Sequence, residues 1–232
     1  MENEKMNTGE KIIDFIQKNR KVIFITLGIL VFMFIGLIAF IYISDAVNKR
    51  DIAEIEEIND RYNKLFPGDA DFYNAEDFST ADAEALLADL KTFTEKSSPI
   101  FSSAFASSRA WSLIGQIYSV RKDWPRAEEA WLNTARVGSK TYLGPVGFFN
   151  AAVAAEEQGK LEQAIELLQN SLSHSFEFPA APRAQFSIGR LYEQLGNSSA
   201  AIEAYRTVLI NWPGMTAFSN LARSRIIAIE VR

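Results

Sequence analysis

Side chains able to make and break bonds are few in this 232-residue sequence, and poorly spaced for the task. His174 is the one histidine. It lies in the stretch SLSHSFEF, where no serine, aspartate or glutamate pattern supplies a nucleophile and its base, so it reads as a solvated loop histidine. Adjacent carboxylates at Glu128-Glu129 and Glu156-Glu157 are the raw material of a general acid and base. Neighbours on a helix point about 100° apart, however, so these pairs read as solvated helix faces instead. Cysteine is absent, which removes disulfides, thiolate metal sites and thiol nucleophiles. Phosphate-cradling glycine loops, HExxH and calcium-loop spacings are missing as well. The expectation is a protein that is no enzyme and uses no cofactor and no metal. A net charge of −5 also argues against nucleic acid as a partner.

A protein without reactive groups works by holding something, and the sequence shows which elements would present the holding surface. Between Ser108 and Pro213 it repeats with a period of 37 residues. Aligning RAWSLIGQIYSVRKDWPRAEEAWLNTA, VGFFNAAVAAEEQGKLEQAIELLQNSL and RAQFSIGRLYEQLGNSSAAIEAYRTVL stacks Gly115, Ala152 and Gly189 in one column. The next columns hold Tyr118, Ala155 and Tyr192; Lys122, Gly159 and Gly196; Ala127, Ala164 and Ala201; and Trp131, Leu168 and Tyr205. Each unit reads as two helices joined by a short polar turn. Small residues sit where the helices cross, large ones fill the gap between units, and Gly159 and Gly196 end the first helix of their units.

These columns resemble the tetratricopeptide repeat family, whose pattern is an aromatic, then Leu-Gly, Tyr, Ala, an aromatic and Pro. The first unit matches through Trp111, Gly115, Tyr118, Ala127 and Trp131. The third matches through Gly189, Tyr192, Gly196, Ala201, Tyr205 and Pro213. The middle unit keeps Phe148, Gly159 and Ala164 but replaces the Gly and Tyr by Ala152 and Ala155. The period is also longer than the family's, which is about 34 residues. The additional residues are expected in the inter-unit segments VGSKTYLGP and SHSFEFPAAP.

The resemblance implies a concave groove lined by the second, fifth, ninth and twelfth residues of each unit. Those are Arg109, Ser112, Gln116 and Ser119, then Val146, Phe149, Val153 and Glu156, then Arg183, Phe186, Arg190 and Glu193. On this basis Phe149 and Phe186 are expected to anchor an apolar or helical segment of a protein partner, with Arg183 and Arg190 on its acidic groups. The competing expectation is that both phenylalanines fill the core between units.

Ahead of the repeats lies VIFITLGILVFMFIGLIAFIYI, the 22 uncharged residues Val22 to Ile43. At about 1.5 Å per helical residue this run crosses a hydrocarbon core of about 30 Å. A cleaved signal peptide, suggested by Ser44-Asp45-Ala46, would have an apolar run of only about 7 to 15 residues, so an uncleaved anchor is the better reading. Lys18, Arg20 and Lys21 crowd its first boundary and favour an N-terminus inside the cell. From Asp45 to Phe66, Ile52, Ile55, Ile58, Tyr62 and Leu65 recur three or four apart, so the span is expected to continue as a stalk helix. Residues 69–80 read as a loop. A helix beginning near Thr80 carries Leu86, Leu87, Leu90 and Phe93, and residues Thr216 to Val231 read as a closing helix with Phe218, Leu221, Ile226, Ile227 and Ile229.

The expected organisation is all-α. It comprises a short cytoplasmic tail (1–21), a transmembrane helix (22–43), a stalk and degenerate first hairpin (44–107), three repeats forming an α-solenoid (108–213) and a capping helix (214–232). This layout resembles the bacterial ancillary subunit of the Sec translocon. The likeness implies a single-pass inner-membrane adaptor with its C-terminal domain in the periplasm, partnered by the translocon and periplasmic chaperones. Two rivals are a structural scaffold of a large envelope assembly, self-associating into a homo-oligomer, and an organelle-surface receptor with cytosolic repeats.

Overall fold

The computed structural model describes residues 8–68, 74, 76–96, 102–174 and 178–231, with the side chains of residues 8, 10 and 11 outside the description. Half of the expected 69–80 loop, residues 69–73 and 75, lies outside the described residues. So do the start of the expected tail, part of the segment SHSFEFPAAP and residues 97–101 of the expected first hairpin.

Among the described residues there are helices and no strands. They are α1 (Thr8–Leu65), a short 3-10 turn (Asp77–Ser79), α2 (Ala81–Lys96), α3 (Ala104–Val120), α4 (Trp124–Val137), α5 (Leu143–Glu157), α6 (Leu161–Leu172), α7 (Ala181–Gln194), α8 (Ser198–Asn211) and α9 (Thr216–Glu230). The chain divides into two compact units between Val47 and Asn48. α1 contributes to both, so the expected boundary at residue 44 is not a break in the helix.

In the first unit every side chain from Val22 to Ile43 is exposed. α1 is the one helix among the described residues long and apolar enough to cross a membrane. Its hydroxyl at Thr26 bonds back to the carbonyls of Val22 (2.7 Å) and Ile23 (3.0 Å). That satisfies within the helix a polar group that hydrocarbon would otherwise leave unpaired.

The second unit opens with the last turns of α1. Ile55, Ile58 and Tyr62 are buried, as their spacing requires, and Ile52 and Leu65 pack partly buried beside them. Phe66 stacks face to face on Phe78 at 3.7 Å, and Phe78 is fully buried. The stretch expected to be plain loop therefore carries a core aromatic. Its backbone is held by Arg121, the residue that caps the end of α3, whose Nε donates to the Phe78 carbonyl (2.7 Å) while Nη1 meets Glu84 of α2 at 2.9 Å. Leu86, Leu87, Leu90 and Phe93 of α2 are buried against the same core.

Three helical hairpins follow, α3/α4, α5/α6 and α7/α8, with α9 closing the stack. The repeat columns explain their packing. A Cβ on Gly115 would lie 2.7 Å from the Trp131 ring, and one on Gly189 would lie 2.5 Å from the Tyr205 ring. Where the middle unit has Ala152, the facing residue is the smaller Leu168, and both are buried. Ala127, Ala164 and Ala201 are all fully buried at the crossings. Each hairpin turn places one residue at positive φ: Lys122 (56°), Gly159 (75°) and Gly196 (73°). All three carry the same pair of capping bonds, with the residue after the turn position donating five residues back, as in Asp123 N to Tyr118 O at 2.9 Å, Lys160 N to Ala155 O at 3.0 Å and Asn197 N to Tyr192 O at 2.9 Å.

α9 buries Ala222 and Ser219 and half-buries Phe218, Ile226 and Ile229, while Leu221 and Ile227 of the expected closing face are exposed.

Candidate functional site

Helices α5 and α7 place their side chains on a shared cleft of about 310 Å³ between the second and third hairpins. Phe149, Val153 and Glu156 line it from α5, and Arg183, Ser187 and Arg190 from α7. Phe149 forms its floor: it is 8% exposed and meets Phe178 at 5.7 Å between ring centroids. Val153, 38% exposed, is the apolar group that reaches solvent. The Arg183 guanidinium lies 5.4 Å from the Phe149 ring centroid and is exposed. Arrangements of this kind keep a cation desolvated on one face and available on the other.

Arg190 has a different part from the one expected of it. It forms a two-pronged pair with Glu156, with Nη2 2.6 Å from Oε2, and the second prong from Nη1 to Oε1. The Glu156 carboxylate raises the Arg190 pKa above its ordinary value. This charge is consumed inside the solenoid, joining residue twelve of one unit to residue nine of the next. Glu193, one unit on, is used the same way: the Tyr205 hydroxyl donates to it at 2.6 Å and Arg225 Nε at 2.9 Å, with Arg225 Nη2 on its second oxygen. Burial, then the bond to Glu193, pushes the Tyr205 phenol up, and Glu193 raises Arg225.

The remaining expected groove residues divide by location. Phe186 does not stand beside Phe149. It packs half-buried against Tyr205 (5.1 Å) and Phe218 of α9 (6.3 Å), so it supports the closing helix. In the first unit, Arg109 donates to Asn59 of α1 at 2.9 Å, and Ser112 is buried with its hydroxyl on the Arg109 carbonyl. Ser119 accepts the Trp131 indole N–H at 3.0 Å. Gln116 and Val146 are half-buried and lie outside the cleft. The cleft thus gathers Phe149, Val153, Glu156, Arg183 and Arg190 and leaves the others in packing roles.

Two acidic and basic readings change. Glu128 is 7% exposed rather than solvated. It accepts from Gln158 (2.6 Å), Lys160 (2.9 Å) and Gln163 (2.6 Å), all from the next hairpin. His174 is half-buried over Gly144, where an added Cβ would meet its Nε2 at 2.4 Å. The sequence pattern did not single out Ser187 or Phe178, because neither falls in a groove column. Among the described residues no cluster of three or more potential ligands could hold a metal.

Residues 149–216, which span the cleft and the third hairpin, match the family model described as Tetratricopeptide repeat. That stretch carries the tetratricopeptide repeat match. A TPR repeat-containing protein of Treponema pallidum (strain Nichols) is 38% identical over 151 residues, which is 65% of this chain and 61% of that relative. The chain therefore spans about three fifths of the length of the curated relative it matches. Two crystal structures of TPR-like repeats from a Podosopora anserina kinesin light chain are also similar, each at 15% identity over 61% of this chain and 72% of theirs, with TM-scores of 0.46 and 0.45. Tetratricopeptide repeats are in general protein-interaction modules.

Proposed function

We propose that this chain is a membrane-anchored adaptor whose cleft between α5 and α7 grips a segment of a protein partner at the export and envelope-folding machinery, the translocon and periplasmic chaperones included. The observation that carries the reading is the cleft itself. It joins an apolar floor, an exposed aliphatic group, the exposed Arg183 guanidinium and the exposed Glu157 carboxylate, a combination suited to an apolar side chain with a carboxylate on its Arg183 side. The apolar part of α1 supports the anchor, and the bacterial relative is compatible with an envelope setting. In this reading the chain crosses the inner membrane once, with its first residues in the cytoplasm and its repeats in the periplasm.

The test is photocrosslinking of the full chain in its membrane through a reactive residue at Val153, with mass spectrometry of the product and protease protection of the repeats. Capture of translocon or chaperone subunits, with the repeats protected, supports the adaptor. Capture of the chain itself replaces it with a scaffold, and repeats digested from the cytosolic side overturn the localisation. The same probe at Phe186, packed beneath α9, is expected to capture nothing.

A further inference from the structure

The stretch of α1 that precedes the apolar run carries a second apolar surface. Ile12, Ile13, Phe15 and Ile16 are 55%, 57%, 62% and 49% exposed. At about 100° per residue they fall within an arc of about 160° on the helix, while Asp14, Gln17, Lys18 and Lys21 fall on the opposite side and Arg20, two residues before Val22, falls within the apolar arc. Lys18, Arg20 and Lys21 follow at once and adjoin the run that begins at Val22. The helix is continuous through all of it, and Asn19 Nδ2 bonds back to the Phe15 carbonyl at 2.9 Å within it.

The distances make this surface hard to leave in water. Ile12 to Ile16 lie six to ten residues before Val22, or about 9 to 15 Å along a helix. The polar zone on each side of a bilayer is only about 5 to 8 Å deep, so a helix crossing upright would carry these four large side chains beyond it. An oblique approach returns them to the boundary between headgroups and acyl chains and sets the three cations among the headgroups. Apolar residues on one side with Lys18 and Lys21 on the other match helices that lie in a membrane interface, and the basic cluster, with Arg20 at its end nearest the span, is complementary to an anionic leaflet.

We propose that residues 12–21 are a second lipid-binding element, an interfacial segment selective for anionic phospholipid. Ile12, Ile13, Phe15 and Ile16 enter the acyl boundary, and Lys18, Arg20 and Lys21 hold the headgroups. The segment sets how α1 enters the membrane and which leaflet composition retains the protein. The proposal rests on the reading of residues 22–43 as a span.

The chain contains no cysteine, so single cysteines can be introduced for site-specific labelling. The full-length protein carrying Ile16→Cys, or Leu30→Cys as a reference, is labelled with an environment-sensitive fluorophore. It is then reconstituted in vesicles of phosphatidylcholine alone or of phosphatidylcholine with phosphatidylglycerol, and quenched with lipid-borne nitroxide or aqueous iodide. At position 16, lipid quenching several-fold stronger with phosphatidylglycerol than without is expected, lost at high salt and in a Lys18→Gln, Arg20→Gln, Lys21→Gln variant. A label equally open to iodide in both vesicles overturns the proposal. So does protection that depends on protein density rather than lipid charge, which would indicate association between copies. At position 30 the label should be lipid-quenched in both vesicles. If that reference stays in water, the span reading fails, separately from any result at position 16.

Discussion

The junction between the first and second hairpins is sealed, whereas that between the second and third is parted into a cleft, though both are built from the same repeat. At the first, α5 approaches α4 so closely that a Cβ on Gly147 would sit 2.5 Å from the Ala135 nitrogen and 2.7 Å from the Trp131 carbonyl oxygen. Glu128 then locks the two hairpins with three bonds from the next unit. At the second, the contacts are made by long side chains, the Glu156–Arg190 pair and the Arg183–Phe149 stack, and about 310 Å³ remains between them. Backbone approach closes a junction, while contact through side-chain tips leaves room for a ligand. The cleft lies where side chains rather than backbones bridge the hairpins.

The strongest test of the sealed junction is Gly147→Ala. The obstructing atoms are backbone on both sides, so the helices must separate, and a loss of about 3 kcal/mol in unfolding free energy is expected from urea titration. A loss under about 1 kcal/mol would mean that the two junctions are equally compliant. Glu128→Ala comes next. It leaves the Gln158, Lys160 and Gln163 donors without their shared acceptor, and about 2 kcal/mol is expected because Lys160 and its neighbours retain some access to water. Partner capture at Val153 should survive this change, since Glu128 lies in the other junction.

The open junction is tested by binding rather than by melting. Arg183 is exposed and supports little, so Arg183→Ala should alter unfolding free energy by under about 0.5 kcal/mol. It should weaken capture of a partner about tenfold, the equivalent of about 1.4 kcal/mol. Loss of stability without loss of capture would assign Arg183 to packing and remove it from the binding surface. Phe149 cannot serve for this test, because at 8% exposure its truncation would unsettle the floor and the ligand together.

The sequence made the hairpins legible because small residues at crossings and aromatics opposite them recur at one spacing. Gly115 with Trp131 and Gly189 with Tyr205 are steric pairs that any substitution must respect. What escaped lies between periods rather than within them. Glu128 finds its partners 30, 32 and 35 residues later, on the α5–α6 turn and the start of α6, whose position depends on how the units stack. Phe186 occupies a groove column yet packs on α9, which is a single helix outside the repeat and follows no column. The pairing of Arg190 with Glu156 joins two groove columns across adjacent units, and a column read one unit at a time hides it. Phe78 sits in a stretch whose polar neighbours look like loop, and only its stacking on Phe66 reveals it.

The smallest effect separates the first hairpin from the other two at their turns. All three turns place a residue in the left-handed region and close it with the same capping bonds, but the first does so with Lys122 where the others have glycine. A side chain with a Cβ pays about 1 to 2 kcal/mol for that conformation, and glycine gives back about 0.5 to 1 kcal/mol through the greater freedom of its unfolded chain. Lys122→Gly should therefore stabilise the protein by about 0.5 to 1 kcal/mol, seen as a higher urea midpoint at unchanged slope. Gly159→Ala and Gly196→Ala should move the midpoint the other way by a similar amount, since neither position has a neighbour within 4 Å to object on grounds of space. If Lys122→Gly lowers the midpoint instead, the lysine side chain holds the first turn by a contact worth more than the strain it carries. The three turns would then be equivalent in shape but not in cause.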